Sequence, residues 1–153
     1  MGEYTEFHFN VELKHSTPVP AMYALQYMLG LREEYIAIDH PFFQCARWKY
    51  LFTMDSEYFP ALTCSKMDTR YGIKLSVRSN LKNYDGEIEK FLDWIAPYIQ
   101  AYPGDFLGFH RFYGTGVPVL IFYGLPDNEV TVAITSVGEP TITYEDSKPK
   151  YGL

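Results

Sequence analysis

Apolar and polar residues alternate along residues 4–14: Phe7, Phe9, Val11 and Leu13 share one side, and Glu6, His8, Asn10, Glu12 and Lys14 the other. A period of two with one apolar face predicts a half-buried strand. The pattern changes at Ser16-Thr17-Pro18, where a hydroxyl and a proline suit the cap and first position of a helix. Met22, Leu25, Met28 and Leu29 follow at helical spacing, and Gly30 suits the position just past the end. Asp39-His40-Pro41 reads as a turn. Residues 47–54 read as a strand with Trp48, Tyr50 and Phe52 on one face, and residues 61–67 as a short strand before a turn at Asp68-Thr69-Arg70. Alternation returns over 71–79, with Tyr71, Ile73, Leu75 and Val77 opposed by Lys74, Ser76 and Arg78.

The clearest helix follows. Asn83 or Asp85 can cap it, Glu87 and Glu89 favour its first turn, and Ile88, Phe91, Leu92, Ile95 and Ile99 form its apolar stripe. Pro97 should loosen the last turn. Residues 106–113 and 117–123 flank Gly114-Thr115-Gly116 as a hairpin whose faces are both rather apolar. Pro126-Asp127-Asn128 is turn chemistry, and Val130, Val132 and Ile134 then Ile142 to Tyr144 suggest further strands.

This order predicts an α+β fold: a mainly antiparallel sheet of about six strands, with two main helices packed on one face. The first six elements match the split β-α-β order of ferredoxin-like folds, with extra C-terminal strands. Strand 4–14 would lie beside 71–79, bringing Glu12 to Lys74 and Glu6 to Arg78. One domain is expected over 1–144, followed by a polar tail over 145–153.

Composition narrows the function classes. A hydrophobic share of 47% with 21% charged residues argues against disorder. There is no run of 18 apolar residues for a membrane span, and the start of the chain lacks a signal peptide's apolar stretch. A cytoplasmic protein is therefore expected, with Cys45 and Cys64 as buried, reduced thiols. A net charge of −6 speaks against nucleic acid, as does an open sheet face of Glu6, His8, Asn10, Lys74, Ser76 and Arg78 with no ring for bases to stack on. Standard phosphate, nucleotide, zinc and hydrolase motifs are missing, so neither cofactor nor metal is expected.

Two features remain. His15-Ser16-Thr17 has the H-x-T form of two-histidine phosphoesterases, but a second such motif is required, and His8-Phe9-Asn10 and His110-Arg111-Phe112 fail at the third position. His110 and Arg111, with Tyr113 and His8, are the candidates for binding an anionic ligand. The other feature is aromatic surplus: 14 Tyr, 11 Phe and 2 Trp. Tyrosine favours interfaces, which makes Tyr23, Tyr27, Tyr35, Tyr58, Phe59, Tyr98 and Tyr102 candidate contact residues. The first expectation is thus a non-catalytic interaction domain of the adaptor, inhibitor or immunity kind, partnered by another protein or by self-association. The second is a small-molecule-binding protein or hydrolase with a pocket near His110 and Arg111.

Overall fold

In chain order the elements are β1 (Thr5–Leu13), α1 (Val19–Met28), 3-10 turns at Pro41–Gln44 and Trp48–Tyr50, β2 (Lys66–Asp68), β3 (Ile73–Leu81), α2 (Glu87–Ile95), a 3-10 turn at Ala96–Tyr98, β4 (Phe106–Phe112), β5 (Pro118–Tyr123) and β6 (Ile134–Val137). The structure is a computed structural model that describes residues 4–53, 64–114, 116–124 and 134–138. The sheet order is β2-β3-β1-β4-β5-β6. The fold is α+β, with β2, β3, β1, β4 and β5 pairing antiparallel in an open sheet. The expected antiparallel count of about six is corrected to five, because β6 runs parallel to β5. A parallel neighbour needs a crossover rather than a tight turn. The turn read at Pro126-Asp127-Asn128 lies outside the described residues, as do the strand at 142–144 and the tail over 145–153.

β1 is central because its odd-numbered side chains are apolar throughout: Phe7, Phe9, Val11 and Leu13 are all buried. They join one core cluster with Ala21, Leu25 and Met28 of α1 and Ile88, Phe91 and Ile95 of α2. Glu12 faces Lys74 as expected, but Glu6 faces Asn80, and Arg78 stands opposite His8. The strand pairs two residues away from the register that would join Glu6 to Arg78, which seats Phe7 over Ser79 and Phe9 over Val77.

The expected strand over 47–54 is instead the turn at Trp48–Tyr50, and residue 54 itself lies outside the described residues. Trp48, Leu51 and Phe52 are buried while Tyr50 is 59% exposed. Those three stand at steps of three and four, so helical spacing competes with alternation and wins by burying the larger set. In α1 the expected hydroxyl cap is also corrected: Pro18 holds the cap position, while the Thr17 hydroxyl donates back to the Lys14 carbonyl at 2.6 Å. The helix ends as expected. Gly30 takes a φ of 77°, its N–H donates to Tyr27 O at 3.1 Å, and Leu31 N–H donates to Gln26 O at 2.9 Å. This pair of bonds satisfies carbonyls that the last turn leaves open.

α2 is held at its start by side chains. Asn83 Oδ1 accepts from Ile88 N–H at 2.8 Å. Glu87 is fully buried and accepts the Asp85 N–H at 2.9 Å and the Arg47 N–H at 3.2 Å, while Asp85 Oδ2 accepts from Ala46 N–H at 3.0 Å. At the far end Pro97 turns the helix into a 3-10 turn. Cys45 is buried, and burial pushes its thiol pKa up. Cys64 is exposed, which corrects the expectation of two buried thiols: it lies just before β2, outside the core.

At Gly108 the pairing shifts register, and a Cβ there would run into the His8 backbone carbonyl. Gly108→Ala is expected to cost about 3 kcal/mol, the upper range for a strained backbone site. Gly30→Ala, in open space at positive φ, should cost only about 1 kcal/mol. Urea denaturation midpoints compare the two, and equal losses would show that β1 and β4 can move apart.

Candidate functional site

Neighbouring residues in a strand point to opposite faces, and this divides the candidate set. His110 lies opposite Phe7 and so on the helix-covered face, whereas Arg111 lies opposite Glu6 on the open face. The structure therefore does not bring His110 and Arg111 together. It does bring Arg111 and His8 together, through a shared carboxylate: Glu6 Oε1 is 3.5 Å from Arg111 Nη2 and 3.7 Å from His8 Nε2. Phe109, one residue before His110, stacks on the His8 ring with centroids 4.7 Å apart. Desolvation lowers the His8 pKa; Glu6 opposes that shift, and Arg78 and Arg111 reinforce it. Tyr113 sits at the end of this face, where its hydroxyl accepts from Asn80 Nδ2 at 3.2 Å.

The open face thus contains an aromatic residue that the reading of β1 and β3 alone did not include. Phe109 comes from β4, which pairs on the other side of β1. Next to it the Phe106 and Phe122 rings approach to 5.5 Å, and Phe106 is 56% exposed. Towards β2 the same face becomes polar. A groove of about 450 Å³ there is lined by Asn10, Glu12, Lys66, Asp68, Lys74 and Ser76, together with Val11 and Leu75. Its groups largely satisfy one another: Ser76 donates to Asn10, Glu12 faces Lys74, and Arg70 grips Asp68 at 2.7 Å. The Arg70 hydrogen bonds lower the Asp68 pKa to about 2.

On the covered face, His110 lines a cavity of about 260 Å³ with Thr5, Asn83, Tyr84, Glu89 and Phe112. Desolvation lowers its pKa, and Glu89 partly offsets the shift. His40 is more tightly placed. Its Nδ1 accepts from Phe42 N–H at 3.1 Å, so Nε2 carries the proton toward Asp93 Oδ2, also 3.1 Å away. Both nitrogens are engaged, Nδ1 in capping the turn at Pro41–Gln44 and Nε2 with a carboxylate of α2. His15 is exposed in the turn before α1. Among the described residues no group of three or more His, Cys, Asp or Glu side chains could hold a metal ion.

The described candidate tyrosines lie on the helix side of the molecule or at its ends. Tyr27 and Tyr35 pack on each other at 5.4 Å and on Trp48, and Tyr98 meets Trp94 edge-on at 6.0 Å. The Arg32 guanidinium lies 3.6 Å above the Tyr23 ring. Tyr102 is 63% exposed. Tyr58 and Phe59 lie outside the described residues.

His110 has a measurable signature. Its folded pKa lies below the ordinary histidine value of about 6.5, so as pH falls the unfolded chain takes up the proton first. Stability is then lost below about pH 6.5, down to the folded pKa. His8 contributes in the same direction. The fall in Tm between pH 7.5 and pH 5 should shrink in His110→Gln and shrink further when His8→Gln is added. An unchanged fall would show that His110 titrates as it does in the unfolded chain.

No protein-family model, no curated protein and no solved structure matches the chain.

Proposed function

We propose that this protein is an interaction domain that docks a carboxylate-bearing segment of another protein on the open face of its sheet. One observation carries the reading: the aromatic patch of His8, Phe109, Phe106 and Phe122 is flanked by arginines with hydrogen-bonding capacity to spare. Among the described residues Arg78 is exposed and has no ion pair, and Arg111 Nε is buried without a hydrogen-bond partner. Aromatic and arginine side chains are the ones that interfaces concentrate, because they combine large contact area with fixed hydrogen-bond geometry. A segment lying over Phe109 would place its carboxylates against Arg78 and Arg111.

The chain order supports the finer fold reading. α1 separates β1 from β2, α2 separates β3 from β4, and the order β2-β3-β1-β4 fits a ferredoxin-like arrangement extended by β5 and β6. Such a scaffold covers one face with helices and leaves the other for a partner. No helix of the described residues is long and apolar enough to cross a membrane. The alternative, a ligand pocket shared by His110 and Arg111, has less support because the two leave β4 in opposite directions.

Photo-crosslinking from residue 120, which shares the face with Phe109, tests the proposal in cells that express the protein. A heterologous adduct is expected that weakens in high salt, disappears in Phe109→Glu and Arg111→Ala, and persists in Tyr71→Glu, whose ring is 83% exposed elsewhere. Circular dichroism checks that Phe109→Glu still folds. An adduct indifferent to Phe109→Glu overturns the assigned face. Adducts formed only between copies of the chain, with a dimer in sedimentation, overturn the heterologous partner.

A further inference from the structure

Where β1 begins and β3 ends, a cavity of about 270 Å³ is lined by Tyr4, Arg47, Tyr50, Thr53, Asn80 and Lys82, among others. We propose that this cavity binds a small phosphate monoester whose organic part carries a hydroxyl group. The site is separate from the sheet-face reading and does not depend on it.

Charge is the first argument. The chain as a whole carries −6, yet the described residues lining this cavity include two cations and no acid. Lys82 lies beside the Tyr4 ring, its Nζ 5.6 Å from the centroid, and makes no ion pair among the described residues. The Arg47 guanidinium lies 4.9 Å from the Tyr84 centroid. Its one ion-pair contact among the described residues is Glu87 Oε2 at a long 4.0 Å, and that oxygen already accepts Arg47's own N–H at 3.2 Å. Arg47 and Lys82 therefore retain donors for a ligand. A phosphate monoester carries nearly two negative charges at neutral pH and suits two cations better than a carboxylate does.

An unsatisfied acceptor is the second argument. Asn80 is 1% exposed, and its Nδ2 donates to the Tyr113 hydroxyl, but its Oδ1 has no hydrogen-bond partner. Asn80 is one of the residues lining the cavity, and a buried acceptor there calls for a donor, which the oxygens of a phosphate monoester dianion do not offer. A hydroxyl on the organic part of the ligand supplies it. The site is also preformed: Asn80 N–H donates to Thr53 O at 3.2 Å and the Thr53 hydroxyl donates to Tyr50 O at 2.9 Å, tying the 50–53 wall to β3. A cavity this size takes a sugar phosphate rather than a polymer.

Calorimetry and amide NMR shifts on the full chain at pH 8 test the proposal, with ribose 5-phosphate, methyl phosphate and ribose as probes. Ribose 5-phosphate should bind with shifts centred on Tyr4, Thr53, Leu81 and Lys82. Methyl phosphate, whose dianion has no O–H, should bind there about fivefold more weakly, lacking the donor to Asn80, and ribose alone should not bind. Lys82→Met and Arg47→Met should each weaken ribose 5-phosphate about tenfold, the loss expected for one charge-assisted contact. Lys66→Met, on the far edge strand, should change it by less than about twofold. Lys82 is half-buried and outside the core, so its variant keeps the test decisive if Arg47→Met fails to fold. Three results would overturn the proposal: no saturable binding of ribose 5-phosphate, binding indifferent to Lys82→Met, or methyl phosphate binding as tightly as ribose 5-phosphate.

Discussion

The Phe91 ring is where the separate parts of the molecule meet. Its centroid lies 6.2 Å from Phe7 and 5.8 Å from Phe9 on β1, 5.4 Å from Phe42, 5.7 Å from Phe52 and 6.1 Å from Trp94. All but the last are edge-on contacts, the arrangement that ring quadrupoles favour. One side chain of α2 thereby fixes the helix on the sheet and fixes the irregular stretch from residue 41 to 52 on both. That stretch has no long helix or strand of its own to position it. Its backbone is held in turn by Asp85 and Glu87, whose carboxylates accept the N–H groups of Ala46 and Arg47. Much of the aromatic surplus is thus structural: rings do the packing that regular elements do elsewhere.

The two faces of the sheet consequently divide the labour. The covered face is occupied by rings and by the helix stripes, and the polar groups beneath it, such as His110, lose solvation. On the open face Glu6 and His8 of β1 and Phe109 and Arg111 of β4 are half-buried, while Arg78 of β3 is exposed. Glu6 is the charge that binds these groups together, standing between His8 and Arg111 where three strands meet.

How much of this could be read from the chain depended on how local the cause was. The alternation of β1, the Ile88 to Ile99 stripe and the pairing of Glu12 with Lys74 arise from periodicity within single elements or between two of them. The 47–52 segment could not be read because Trp48, Leu51 and Phe52 satisfy helical spacing while Trp48 and Phe52 also satisfy alternation, and only the position of Phe91 decides. His40 and Asp93 are 53 positions apart and meet through packing alone. The separation of His110 from Arg111 was, by contrast, implicit in the assignment of residues 106–113 as a strand, since adjacent side chains must diverge. The cavity at Arg47 and Lys82 left no local signal, because its walls come from the start of β1, the end of β3 and the turn at Trp48–Tyr50.

The central place of β1 also governs the order of assembly. Thr5 pairs with Leu81 on one side and with Phe112 on the other. During synthesis the strand therefore waits, with Phe7 and Phe9 unpaired, until both distant neighbours have been made. Pairings of such long sequence separation close large loops before they gain contacts, which slows folding and lengthens the time that apolar surface is open to other chains. For this fold, the window between making β1 and making β4 is the interval in which misassociation competes with folding.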